Sequence, residues 1–153
     1  MTDFPGIHRS LLQLHAFSAD QLLQFTTRLS IKKLREKEFL LKPDQISKSL
    51  SFIIAGGLRF YTHTGESELT INFFTENQWV ADIESFLMLN ALIANLTIPT
   101  THLAALHPMG PDRRYKELLL SHSDWINRFP QMQIASYLGM STETLSRVRS
   151  RIA

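Results

Sequence analysis

The segment from Gln131 to Val148 constrains the fold of this chain of 153 residues more than any other stretch. It contains a single glycine, Gly139, which can adopt the positive backbone φ that a tight turn between two helices requires. Four residues earlier lies Ala135, which is small enough to let a second helix pass close by. Apolar residues at helical spacing flank the turn: Ile134, Leu138, Met140, Leu145 and Val148. The segment therefore predicts two short, steeply crossed helices, a helix-turn-helix.

The second helix of this pair is predicted to have a clear start and a polar outer face. Ser141 is a favourable N-cap residue, and Glu143 in the first turn complements the positive end of the helix dipole. Arginine can bond the O6 and N7 atoms of guanine in a fork, and glutamate can accept from the N4 amine of cytosine. The residues predicted to bind DNA are Ser141, Thr142, Glu143, Ser146, Arg147 and Arg149.

The net charge of +2 is too small to indicate a nucleic-acid partner by itself, but its distribution is informative. Residues 128–153 contain four arginines and one acid, which fits contact with phosphates. Arg128 and Arg151 are expected to contact phosphates, which add affinity without sequence information. A plain amphipathic helical hairpin with solvated charges explains the same charge pattern and stays open as an alternative.

The first half of the chain has a different pattern. Ser18 and Gln21 have the spacing of a capping box, which predicts a helix over residues 18–29. Further on, residues 58–63 and 68–74 flank a turn and predict a β-hairpin. Several short strands at close spacing are typical of a small antiparallel barrel or roll. The predicted fold class is α+β, with an N-terminal antiparallel β-roll or barrel followed by an all-helical helix-turn-helix domain.

Several classes of function are disfavoured by residue usage. The chain has no cysteine, which excludes thiol catalysis and cysteine-held metals, and its six histidines show no metal-ligand spacing. Asp82 and Glu84 would share one face of a strand, but no nucleophile or oxyanion donor is evident nearby. No apolar run approaches the roughly 18 residues of a membrane span, and the first residues lack signal-peptide features. We predict a cytoplasmic protein that is not an enzyme, with no cofactor and no metal site.

The chain resembles the Crp/Fnr family of regulators over most of its length. Glu143-Thr144-Leu145-Ser146-Arg147, following Ile134–Gly139, resembles the family's DNA-reading end. Residues 39–45, 52–59 and 79–86 resemble its cyclic-nucleotide-binding-type barrel, and Asp112–Tyr115 resembles the start of the helix that leads into its DNA-binding domain. Asp112 is also expected to cap that helix, with Tyr115, Leu118 and Leu119 on one side.

The resemblance implies a homodimeric transcriptional regulator on a two-fold symmetric duplex, with Glu143, Ser146 and Arg147 reading bases. It implies three parts: an effector-sensing β-roll over residues 1–90, a connecting or dimerisation segment over 91–111, and the helix-turn-helix domain over 112–153. Asp82 and Glu84 are then candidate effector contacts. A signalling module that binds a small molecule without regulating DNA is the alternative.

The chain departs from the family pattern at three points. Family members that bind cyclic AMP carry Gly-Glu-Leu and a later Arg-Ser or Arg-Thr, whereas this chain has Ala81-Asp82-Ile83 without such an arginine. The effector is therefore unknown, and cyclic AMP is disfavoured. Without cysteine, the oxygen-sensing cluster of the Fnr type cannot form. The chain is also a few dozen residues shorter than the family between Phe86 and Ala91.

Overall fold

A computed structural model describes residues 4–42, 45–81 and 109–152. Within them the helices are α1 (Pro5–Leu14), α2 (Ala19–Thr26), α3 (Pro111–His122), α4 (Trp125–Arg128), α5 (Gln131–Tyr137) and α6 (Thr142–Ile152). The strands are β1 (Ser51–Phe52), β2 (Leu58–Thr64), β3 (Ser67–Phe74) and β4 (Trp79–Val80). The described residues divide into two compact units, one of 4–42, 45–56 and 75–81 and the other of 57–74 and 109–152. No helix in these residues is long and apolar enough to cross a membrane.

The first unit is held together around Trp79. Its indole Nε1 donates to the Ser10 hydroxyl at 2.8 Å, and its ring meets the rings of Phe52 and Phe25 edge-on at centroid distances of 4.9 and 6.4 Å. One side chain therefore joins α1, α2 and the short antiparallel pair of β1 and β4.

Helix α2 begins as the sequence predicts. The Gln21 backbone N–H donates to Ser18 Oγ at 3.3 Å, and the Ser18 N–H donates to Gln21 Oε1 at 2.9 Å. This reciprocal pair satisfies two of the N–H groups that a helix start leaves unbonded. The capping box is confirmed, but the helix ends at Thr26 rather than at residue 29.

In the second unit, the predicted hairpin forms from β2 and β3 and docks on α5. The two strands are antiparallel from Leu58↔Phe74 to Thr64↔Ser67, with a bulge that shifts the register after Phe60. The Thr70 N–H donates to Ser136 Oγ at 2.9 Å, and that hydroxyl donates to the Glu68 carbonyl at 3.1 Å. A single serine of α5 thus bonds two backbone groups of β3 that β2 does not reach, which protects a strand edge.

Four aromatic rings form the centre of this unit. Phe73 of β3 stacks on Phe129 at 4.1 Å, and its ring lies 5.1 Å from Trp125 and 5.7 Å from Tyr137. Helices α3, α5 and α6 complete the core with Tyr115, Leu118, Ile134, Ala135, Leu138, Leu145 and Val148, all buried. The hairpin is therefore part of the same hydrophobic core as the four C-terminal helices.

The predicted fold class is wrong in its β part. The described chain is a small α+β structure with two separate two-stranded sheets, and no roll or barrel closes within it. Residues 29–42 and 45–50 form no strand, and Phe73 and Thr70 of the hairpin are buried against helices rather than against further strands. The unit that contains the helix-turn-helix also contains the hairpin of β2 and β3, so it is not all-helical as predicted.

Some of the remaining predictions concern residues that the structure describes, and others fall outside them. Tyr115 and Leu118 are buried and Leu119 packs against the core, as predicted. Asp112 does not cap α3; it lies in the first turn, Gly110 is at the N-cap position, and its carboxylate pairs with Arg151. Asp82, Glu84 and the short stretch between Phe86 and Ala91 lie outside the described residues, as does most of the predicted connecting segment 91–111.

Candidate nucleic-acid interface

The turn between α5 and α6 has the geometry that its sequence predicts. Gly139 has a φ of +62°, a left-handed conformation that a residue with a Cβ adopts only at a cost. The Met140 N–H donates to the Ala135 carbonyl and the Gly139 N–H to the Ser136 carbonyl, at 3.0 and 3.1 Å. Ala135 is buried, and α6 packs on α5. The two helices and the tight turn of the predicted motif are confirmed.

An arginine of α3 holds this turn from outside the motif. Arg114 donates through Nη1 to the carbonyl oxygens of Leu138 and Gly139, both at 3.0 Å, and through Nε to the Met109 carbonyl at 2.8 Å. The last carbonyls of a helix lack intrahelical partners and carry partial negative charge, so a guanidinium is a well-suited partner. A Cβ at position 139 would lie 3.3 Å from Arg114 Nη1, which is a second reason for glycine there.

Arg114 is not among the site residues predicted from sequence. From sequence, Arg114 stands out only as part of Asp112–Tyr115, the stretch that resembles the start of a helix in the Crp/Fnr family. Nothing in its spacing indicates a contact with carbonyls 24 and 25 positions further along the chain.

The inner and outer faces of α6 differ as predicted. Leu145 and Val148 are buried, and Met140 and Ile152 pack against the same core. The outer side chains are exposed at positions 143, 146, 147 and 149, while Thr142 is half-buried. A shallow surface depression brings together Gln131, Thr142, Glu143, Ser146 and Arg147. Gln131, contributed by α5, is absent from the predicted set; its position at the first residue of a helix is a weak signal in sequence.

The start of α6 orders the acidic group of this surface. Ser141 Oγ accepts from the Thr144 N–H at 3.2 Å, which confirms Ser141 as N-cap, and Thr142 Oγ1 donates to Glu143 Oε1 at 3.2 Å. A hydrogen bond from its own backbone N–H, followed by those from the Ser141 and Thr142 side chains, lowers the pKa of Glu143 below its ordinary value. The carboxylate therefore stays ionised, as a hydrogen-bond acceptor, to lower pH than an ordinary glutamate.

The arginines of this unit fall into two groups. Arg147 and Arg149 are exposed on α6, and the contact described for Arg147 is a long one, 3.4 Å from its Nε to the Glu143 carbonyl. Arg128 and Arg151, expected at phosphates, each face an acid: Arg128 lies 3.8 Å from Asp124 and Arg151 lies 2.6 Å from Asp112. The pairs are solvent-exposed, so the guanidinium groups can exchange these partners at little cost.

Replacing Ser141 by alanine is expected to lower the free energy of unfolding by about 1 kcal/mol, because the Thr144 N–H loses its partner. Ser150→Ala on the same helix is the control. Ser150 Oγ donates only to the Ser146 carbonyl, one turn earlier in the same helix. Because alanine is the better helix former, no loss of stability is expected. Urea unfolding followed by circular dichroism measures both variants. Equal stability of the two would contradict the capping role.

Within residues 4–42, 45–81 and 109–152, no group of three or more histidine and acidic side chains is arranged to hold a metal ion. Comparison of the chain with protein-family models, with curated proteins and with solved structures found no match.

Proposed function

We propose that this chain is a DNA-binding transcriptional regulator that places α6 in the major groove of duplex DNA. The observation that carries this proposal is the division of α6 into a buried face that anchors it in the core and an exposed face with acid, hydroxyl and guanidinium groups. A turn fixed at Gly139 and held by Arg114 gives that helix a defined angle to α5. Such a helix pair is the recognised geometry of a groove-reading motif.

The size of α6 suits the groove. Its 11 residues span about 16 Å, and the major groove of B-form DNA, about 12 Å wide, admits one helix. Recognition helices contact base edges with residues near their N-terminal end. The depression lined by Thr142, Glu143, Ser146 and Arg147 lies at that end of α6.

Each exposed group of α6 has a distinct chemical role in this proposal. Arg147 forks onto guanine O6 and N7, and the ionised Glu143 accepts from cytosine N4. Ser146 and Thr142 can bond either kind of base edge. Arg149 and the N-cap hydroxyl of Ser141 are assigned to phosphates, which fix the register of the helix on the duplex.

The functional unit of this proposal is a homodimer. The resemblance to the Crp/Fnr family supports two copies of α6 on a two-fold symmetric duplex, about 34 Å apart in successive major grooves. Regulation by an effector held in a β-roll is not part of the proposal, because no such roll closes in the described chain.

Arg147→Ala is expected to remove sequence discrimination while leaving weak, salt-sensitive binding to any duplex. A bidentate contact to guanine is worth about 1–3 kcal/mol of discrimination, or roughly 5- to 150-fold in relative affinity. Duplexes selected from a random pool by the unaltered chain would supply the preferred sequence. Fluorescence anisotropy with preferred and scrambled duplexes would then measure the ratio of the two dissociation constants.

Arg113→Ala is the control for this experiment, since Arg113 is an exposed arginine of α3 outside the reading surface. It removes the same charge and is expected to keep the ratio of the unaltered chain. Full discrimination by the Arg147 variant would refute the role assigned to this side chain. An unaltered chain that selects no sequence from the pool would refute the function itself.

A further inference from the structure

A second basic stretch, besides residues 128–153, covers residues 28–42, far in sequence from the helix-turn-helix. Six of the sixteen basic residues lie there with two of the fourteen acids, so this stretch has a net charge of +4, against +2 for the whole chain. We call it the basic segment. Its cations are Arg28, Lys32, Lys33, Arg35, Lys37 and Lys42.

The cations of the basic segment are available to a partner. All six side chains are exposed, and none of them takes part in an ion pair among the described residues. Ion pairs in the described chain are instead found at Arg59, Arg128 and Arg151. Charge left unpaired and close together in sequence repels itself, and a polyanion that binds there relieves that repulsion.

The backbone of the basic segment is irregular beyond Arg28, with one ordered turn. The Glu38 N–H donates to the Arg35 carbonyl at 3.0 Å, and the Arg35 N–H donates to Glu38 Oε2 at 2.9 Å. The carboxylate of Glu38 is thus directed to a backbone N–H. Lys37 within this turn has a φ of +65°, which is uncommon for a residue with a side chain. Arg35 and Lys37 therefore both lie in an ordered turn, with exposed side chains.

We infer that the basic segment is a second DNA contact, which binds the phosphates of duplex DNA. The inference rests on the proposed function for the choice of partner. An anionic membrane surface attracts the same charges, but stable attachment there takes a second, apolar element such as an amphipathic helix or a lipid chain. Residues 29–42 form no helix, and exposed large apolar side chains occur there only at Ile31 and Phe39. These features favour backbone phosphates as the ligand.

The number of phosphate contacts is obtained from how steeply the affinity for DNA falls as the salt concentration rises. Each contact releases condensed counterions and contributes about 0.9 to the slope of log K against log salt concentration. The triple variant Arg28→Gln, Lys32→Gln, Arg35→Gln is therefore expected to lower the magnitude of the slope by about 2 to 3. The experiment uses the full chain and a duplex that it selects, titrated from about 50 to 200 mM salt.

A control variant removes the same charges elsewhere: Arg9→Gln, Arg113→Gln, Lys116→Gln, all exposed positions outside the basic segment. If net charge alone governs affinity, both triple variants lower the slope equally, and the inference is overturned. Circular dichroism checks that both variants are folded. A fall confined to the basic-segment variant, with an unchanged preference for the selected sequence, supports the inference.

The remaining outcomes separate this inference from the proposed function. If the salt dependence of affinity is unchanged in the basic-segment variant, the inference is overturned. In that case a loss of discrimination between preferred and scrambled duplexes in Arg147→Ala still supports the role of α6 in reading DNA. Discrimination retained in Arg147→Ala, with a reduced slope in the basic-segment variant, overturns the role of α6 but not that of the segment. If the variant instead loses binding only to vesicles of phosphatidylserine and phosphatidylcholine, the ligand is a membrane surface and the inference is wrong.

Discussion

Leu145→Ala is expected to lower the free energy of unfolding by about 2–5 kcal/mol, the largest effect of any change considered for this protein. Leu145 is 1% exposed and lies in the core that α3, α5 and α6 share with Phe73 of the hairpin. Alanine removes buried methyl groups and leaves a cavity, which the surrounding helices can fill only partly. Denaturation by urea, followed by tryptophan fluorescence, to which the buried Trp125 contributes, measures the loss.

Leu120→Ala is the matched control, because it makes the same chemical change at a side chain that is 84% exposed. Its free energy of unfolding is expected to stay within about 0.5 kcal/mol of the unaltered protein. A loss at Leu120 as large as that at Leu145 would mean that α3 and α6 do not face the core as described. The prediction also has a functional side, since α6 cannot present its outer face if its inner face is unanchored.

Arg114→Ala is expected to lower the free energy of unfolding by about 1.5–3 kcal/mol, the range for hydrogen bonds made by a charged group. Three carbonyl oxygens lose their partner, two of them in the turn between α5 and α6. The angle between these helices is then less well defined. We therefore expect the variant to lose discrimination between preferred and scrambled duplexes, even at a temperature where it remains folded.

Arg113→Ala is the control for this second prediction, since the neighbouring arginine is exposed and makes no such bonds among the described residues. Arg114→Lys adds a second test. Lysine keeps the charge but not the planar guanidinium that reaches carbonyls on two sides, so it should restore only part of the stability. Equal stability and equal discrimination in the Ala variants at 113 and 114 would show that the Arg114 contacts do not hold the turn.

What could be predicted from sequence is local. The capping box at Ser18 and Gln21, the positive φ of Gly139 and the N-cap at Ser141 each depend on groups within three or four residues. Their spacing is visible in the chain itself, as is the burial period of α6. The hairpin of β2 and β3 belongs to the same class, because a short turn brings its strands together. For the candidate site, these local signals were enough to identify the polar face of α6.

What only the tertiary structure decided is where these elements find partners. Strand patterns between residues 31 and 74 suggest a roll, yet the hairpin satisfies its strand edge on α5 through Ser136 and stacks Phe73 on Phe129, the residue that follows α4. Asp112 pairs across the unit with Arg151 instead of capping its own helix, and Arg114 bonds a turn 24 residues away. Burial and hydrogen-bond satisfaction are properties of the whole packed unit, so residue spacing does not reveal which distant groups meet.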